Sequence, residues 1–122
     1  MYEYAARLVR VIDADTVVLD LDLGLSVWTR DRRIRLLGVD APELRTEAGL
    51  TARVWAEAWF ATHCPDGVLT VRTVKDKADS FGRYLGVVTA PDGAVLNEQL
   101  LAAGQAVPWP RPTAVVKEPT SA

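Results

Sequence analysis

The stretch Arg33-Ile34-Arg35-Leu36-Leu37-Gly38-Val39-Asp40-Ala41-Pro42-Glu43 decides how this chain is read. Its first half alternates as a strand does, with Ile34 and Leu36 on one face and Arg33 and Arg35 on the other. That phase points Arg35 away from the core. Pro42 ends the strand, because it has no N–H to give to a ladder. An arginine, an aspartate and a glutamate are thus delivered across a strand-to-loop junction. Neither a packed core nor a solvated face requires that order.

Upstream, residues 15–23 alternate clearly. Val17, Leu19, Leu21 and Leu23 share one face, Asp20 and Asp22 the other, and Gly24 marks a turn. Residues 4–12 make a looser strand, and 26–37 a third. Downstream, 47–63 reads as a helix whose stripe is Leu50, Val54 and Ala58, widened by Trp55 and Trp59. Thr46 is placed to cap it, with Glu47 in its first turn. The turns Pro65-Asp66-Gly67 and Pro91-Asp92-Gly93 separate strands at 68–75 and 83–90. Asn97 is placed to cap a short helix over 98–103, which Gly104 ends. The fold class is mainly β (α+β): five strands, mostly antiparallel, with one main helix and a short C-terminal one. Residues 1–107 form one domain, followed by an extended, proline-punctuated tail over 108–122.

The chain has 122 residues, 49% hydrophobic and 25% charged, as in an ordinary globular domain. No apolar run approaches the ~20 residues of a membrane-spanning helix. The N-terminus shows no signal peptide, so a cytoplasmic location is expected. A single cysteine, Cys64, excludes an internal disulfide, and with one histidine, His63, it argues against a zinc cage. His63 instead suits the C-terminal end of the helix dipole. The net charge of −2 argues against long basic tracks on DNA, though not against a small site gripping one phosphate. Arg30, Arg32, Arg33 and Arg35 crowd together with only Asp31 among them.

If the second and third strands form a hairpin, Asp15 at the start of one lies beside Asp40 at the end of the other. Asp13 and Glu43 would then lie near that pair at the rim of the sheet. Four converging acids repel, and burial adds a desolvation cost, a conflict that a hard divalent cation (Ca²⁺, Mg²⁺ or Mn²⁺) resolves. Arg35 and Arg83 supply forked donors for phosphate. A carboxylate such as Glu43 can orient or deprotonate a water. Each residue also has a plainer reading: Asp15 as a strand end, or Arg35 paired with Asp20 or Asp22 on an exposed face. Trp55 and Trp59 read as core, and Trp28 suits either core or ligand.

Three segments in order, Asp13-Ala14-Asp15-Thr16, Arg35 to Glu43, and Asp79-Ser80-Phe81-Gly82-Arg83, resemble the staphylococcal nuclease (thermonuclease) family over roughly residues 8–109. The resemblance implies a five-stranded OB-type barrel and Ca²⁺-dependent cleavage of DNA and RNA to 3′-phosphate products. By position it implies metal binding by Asp15, Asp40 and the backbone carbonyl of Ala41, with Asp13 acting through water. Glu43 would act on the attacking water, and Arg35 and Arg83 would hold the scissile phosphate. Phe81 and Trp109 would contact the substrate. The chain departs from the family at Ala14, where a glycine is usual, at Ser80, where a basic residue is usual, and at Phe81, where a tyrosine is usual. The last two remove a charge and a hydroxyl donor, so weaker substrate binding is expected. The alternative is a catalytically weak or inactive nuclease-fold module that binds nucleic acid. A monomer is expected in either case.

Overall fold

The computed structural model describes residues 2–74 and 82–109. Ser80 and Phe81, on which the expected weakening of the phosphate pocket rests, lie outside the described residues. The elements are β1 (Tyr2–Asp13), β2 (Thr16–Asp22), β3 (Trp28–Leu36), a short β4 (Val39–Asp40), α1 (Glu47–His63), β5 (Val68–Thr73), β6 (Arg83–Thr89), α2 (Leu96–Ala102) and a short β7 (Val107–Pro108). Five strands close a barrel in the order β1-β2-β3-β6-β5, with β5 pairing back onto β1. Every pairing is antiparallel except β3 with β6. The expected five-stranded barrel with two helices is the observed fold.

Inward rows fill the barrel with Ala6, Val11, Val17, Leu19, Leu21, Ile34, Leu69, Val71 and Val88, all buried. The interior is tight where β6 crosses it. A Cβ at Gly86 would stand 2.9 Å from Ile34 Cγ2 and 3.0 Å from Val71 Cγ2, closer than packed carbons tolerate.

Three register shifts set what faces outward. β1 slips between Leu8 and Arg10 and again between Val11 and Asp13, which turns both Arg10 and Asp13 to the outside. β3 carries a bulge opposite Asp20, where Asp31 takes φ 56 and its N–H donates to Asp20 Oδ1 at 2.9 Å. Trp28, Arg30, Arg33 and Arg35 therefore share the outer face. Strict alternation over 26–37 could not have put Arg30 and Arg33 on the same side.

Thr46 caps α1 as expected, accepting from Gly49 N at 3.0 Å. The expected stripe is only partly right: Trp59 is buried and Trp55 packs on the core, but Leu50, Val54 and Ala58 are exposed, and the buried face is Gly49, Ala52, Ala56, Trp59 and Phe60. Small residues win because α1 lies close on its neighbours. A Cβ on Gly49 would collide with the Glu43 carbonyl. Leu23, expected on the inner face of β2, lies beyond the strand and is exposed.

Asn97 does not cap α2, whose N-cap position is Val95 with no side-chain bond. It is buried instead. Its Oδ1 accepts from Val88 N at 3.1 Å, and its Nδ2 donates to Leu37 O at 2.9 Å and Gly86 O at 3.1 Å. β7 pairs with β4, and Trp109 N donates to Gly38 O at 2.9 Å. Among the described residues no helix is long and apolar enough to cross a membrane.

Candidate active site

One outward row of the barrel assembles the acids. Asp13 pairs in register with Thr16, and Thr16 with Arg35, so their side chains leave the same face. The hairpin expected between β2 and β3 is present: Leu36 N donates to Asp15 O at 2.8 Å, which brings the end of β3 beside the start of β2. The chain then turns through Gly38, at φ 82, into β4 and presents Asp40 and Ala41 to Asp15.

Arg35 holds this rim together. Its Nη1 donates to Val39 O at 2.6 Å and Leu36 O at 3.2 Å, and lies 3.5 Å from Asp15 Oδ2. Its Nη2 reaches Asp40 Oδ1 at 3.3 Å. Its side chain is only 12% exposed, so the arginine is enclosed by the 36–41 turn rather than projecting freely into solvent. The surface alternative fails as well, because Asp20 pairs with Arg30 at 3.0 Å and Asp22 accepts from Gly24 N.

Asp15 accepts from Ala41 N at 2.8 Å and from Thr16 Oγ1 at 3.1 Å. Burial works against its ionisation, but the bonds from Asp13, Ala41 and Thr16 and the Arg35 charge outweigh it and hold its pKa below the ordinary value. Asp13 is the opposite case. Burial first, then its hydrogen bond to and repulsion by Asp15, push it from 3.8 up to about 7. Asp13 Oδ1 is buried with no hydrogen-bond partner among the described residues.

Asp13 gives the rim a pH signature. Between pH 3.8 and about 7 the folded protein holds a proton that the unfolded chain has released. Native protein binds more protons across that window, so stability in EDTA should fall as pH rises through it. Thermal melts at steps from pH 4.5 to 7.5 should show the decline, and Asp13→Asn should flatten it. An unchanged slope in the variant would assign the proton elsewhere.

The convergence of four acids is only partly built. Asp13 touches Asp15, and Asp15 and Asp40 meet through Arg35. Glu43 instead accepts from Arg45 Nε at 2.8 Å on the surface, with its side chain 68% exposed. Among the described residues no three Asp, Glu, His or Cys side chains are grouped to hold a metal. The guanidinium between Asp15 and Asp40 already supplies the positive charge that the acids need, which lets them approach without a cation. The donor chemistry nevertheless suits a hard cation: two carboxylates, a backbone carbonyl and an orphaned buried oxygen on Asp13.

Glu43 is anchored by its backbone. Thr46 N and Thr46 Oγ1 both donate to Glu43 O, at 2.9 and 2.6 Å, and Gly49 packs on the same carbonyl. Arg83 begins β6 in register with Arg33 and is half-buried. Trp109 is 53% exposed, two residues beyond the Val107 that pairs with Asp40. Ala14 is buried without positive φ, so its methyl brings no backbone strain. His63 Nδ1 meets Asp92 Oδ2 at 2.7 Å, away from this rim. Sequence reasoning overlooked Thr16, Gly49 and Asn97 as site supports. Thr16 stood inside a quoted segment, whereas nothing local marked the other two.

A sequence model of the family described as staphylococcal nuclease homologue matches residues 33–117. An uncharacterized endonuclease of Escherichia coli O157:H7 is 35% identical over 100 residues, covering 82% of this chain and 58% of that protein. An uncharacterized protein of Methanocaldococcus jannaschii is 30% identical over 126 aligned positions, covering 84% of this chain and 58% of its own length. The chain thus spans little more than half of the relatives it matches.

Proposed function

The chain belongs to the staphylococcal nuclease family, and we propose that it hydrolyses phosphodiester bonds in DNA or RNA with Ca²⁺ held by Asp15, Asp40 and the Ala41 carbonyl. The observation that carries this reading is the enclosed Asp15–Arg35–Asp40 group, oxygen donors and a guanidinium on one barrel rim. Bound Ca²⁺ would polarise the phosphoryl oxygen and lower the pKa of a coordinated water.

The chain's own residues do the remainder. Arg35 and Arg83 fork onto the non-bridging phosphate oxygens and oppose the charge that grows there. Glu43 takes a proton from the attacking water as the oxygen bonds to phosphorus. The bond from phosphorus to the 5′ oxygen breaks, and the departing oxygen takes up a proton. The products are a 3′-phosphate and a 5′-hydroxyl. Asp13, protonated near neutrality in the metal-free protein, would lose its proton when a cation arrives.

The surface pairing of Glu43 with Arg45 favours a second reading, a binding module with weak or no catalysis. One experiment separates the two. Plasmid DNA and single-stranded RNA are incubated with wild type or Glu43→Gln, in Ca²⁺ or in EDTA. Wild type should cut only with Ca²⁺, leaving 3′-phosphate ends, and Glu43→Gln should be slower by about 10²–10⁴. Intact substrate with wild type in Ca²⁺ would leave the binding module standing.

A further inference from the structure

We propose that the outer face of the barrel carries a separate phosphate-binding strip, the row Arg10–Val18–Arg33, which holds the sugar-phosphate backbone of a polynucleotide beside Arg83. The strip takes its substrate class from the nuclease reading, but its geometry is independent of the acid rim. Arg10 pairs in register with Val18, Val18 with Arg33, and Arg33 with Arg83. Registered neighbours project to the same side, so three arginines, from β1, β3 and β6, line one row across four strands, with Val18 of β2 between the first two. Three strand spacings of about 4.8 Å make that row ~14 Å long. It lies two residues, about 7 Å along β3, from Arg35.

Burial and charge say what the row is for. Val18 is 1% exposed although it faces outward and stands apart from the barrel core, and its registered neighbours are Arg10 and Arg33, long side chains of the kind whose aliphatic stems cover apolar surface. The charged heads remain outside. Both arginines are exposed, and among the described residues neither has an ion-pair partner.

The next row differs. Arg7 is registered with Asp20, Asp20 binds Arg30, and the Trp28 ring has Arg7 and Arg30 at 5.8 and 5.2 Å from its centroid. That row satisfies itself and occupies Trp28, whereas the Arg10–Arg33 row has charge to offer. A net charge of −2 therefore conceals a local basic strip, and the expectation against basic tracks holds for the whole chain but not for this face. The complementary ligand is a polyanion with regularly spaced charges that can run on from the Arg35 and Arg83 clamp.

The test uses an Arg10→Gln/Arg33→Gln double variant and a fluorescent single-stranded oligonucleotide of about 12 nucleotides, within the range of site sizes of OB barrels. Binding is followed by anisotropy in EDTA across a salt series. Each phosphate contact contributes about 0.7 to the slope of log K against log salt for a single strand, so the double variant should lose about 1.4. Affinity at low salt should fall about tenfold or more. Arg72→Gln, on β5, removes one charge elsewhere and should leave the slope unchanged. Melting near wild type guards against misfolding. In Ca²⁺, turnover of a dinucleotide too short to reach the row should be unaltered while KM for the oligonucleotide rises. An unchanged slope in the double variant, an equal loss in Arg72→Gln, or no wild-type binding at low salt would overturn the strip. Wild type that binds with the expected slope yet cuts nothing would sink the nuclease reading and leave the strip intact.

Discussion

Arg35→Ala should silence cleavage and weaken the metal-free fold, and Ca²⁺ should restore only the fold. The arginine side chain is 12% exposed and touches Asp15, itself 10% exposed, as well as Asp40 and two carbonyls. Removing one partner of a buried ion pair costs about 3–5 kcal/mol, because the other charge is stranded. The loss here should fall at the low end of that range, since Asp15 keeps its bonds from Ala41 and Thr16. A hard cation brought to Asp15 and Asp40 would compensate the same charge, so urea melts in millimolar Ca²⁺ should recover most of the deficit. Cleavage should stay down by about 10²–10³ or more, because no donor replaces the guanidinium at the phosphate. A variant as stable as wild type in EDTA would show that the rim does not depend on this arginine. Normal turnover would remove Arg35 from the chemistry.

Asn97→Ala should be the most damaging substitution outside the rim. The side chain joins Val88 N and Gly86 O of β6 to Leu37 O in the turn after β3. Gly86 O also receives Leu37 N at 2.8 Å and is not orphaned by the change. Val88 N loses its partner in a buried setting and Leu37 O in a part-buried one, at about 1–3 kcal/mol for each unsatisfied group. A total of about 2–6 kcal/mol should lower Tm by roughly 10 °C or more in a domain of this size. Leu37 opens the turn that carries Asp40, so activity should fall even at temperatures where the variant is folded. Faster hydrogen exchange at the Val88 amide would localise the damage, and unchanged exchange there would refute the clamp.

The strands were legible because glycine and proline turns punctuate them and simple alternation fills them, whereas their closure into a barrel came from the family resemblance and not from periodicity. What the sequence hid were the exceptions to period two. Nothing local announces the extra residues in β1 and β3, which decide that Arg10, Asp13, Arg30 and Arg33 all face out. The helix face was misjudged for a related reason. Periodicity favours large apolar residues, but close approach selected Gly49, Ala52 and Ala56 and left Leu50 and Val54 in solvent. Asn97 has the local look of a cap, and only the fold reveals the three carbonyl and amide groups around it. In the candidate site, Asp15, Asp40 and Arg35 were readable as neighbours. That Arg35 would be shut in among them was not, since enclosure depends on the turn from Leu36 to Ala41.

The parallel pairing of β3 with β6 has a consequence for how the protein is made. β6 is the strand that joins β3 to β5, so the ring cannot close until it has been synthesised. Contacts of such long sequence separation come at the end of a costly loop closure and fold slowly, in milliseconds to seconds for barrels of this kind. A chain on the ribosome that has emerged only through α1 already carries Asp15, Arg35 and Asp40, but neither Arg83 nor the α2 asparagine that fastens Leu37. Nucleic acid surrounds every nascent chain. Here the acid rim meets Arg83 and the Asn97 tie to Leu37 only once β6 and α2 have followed it out of the tunnel.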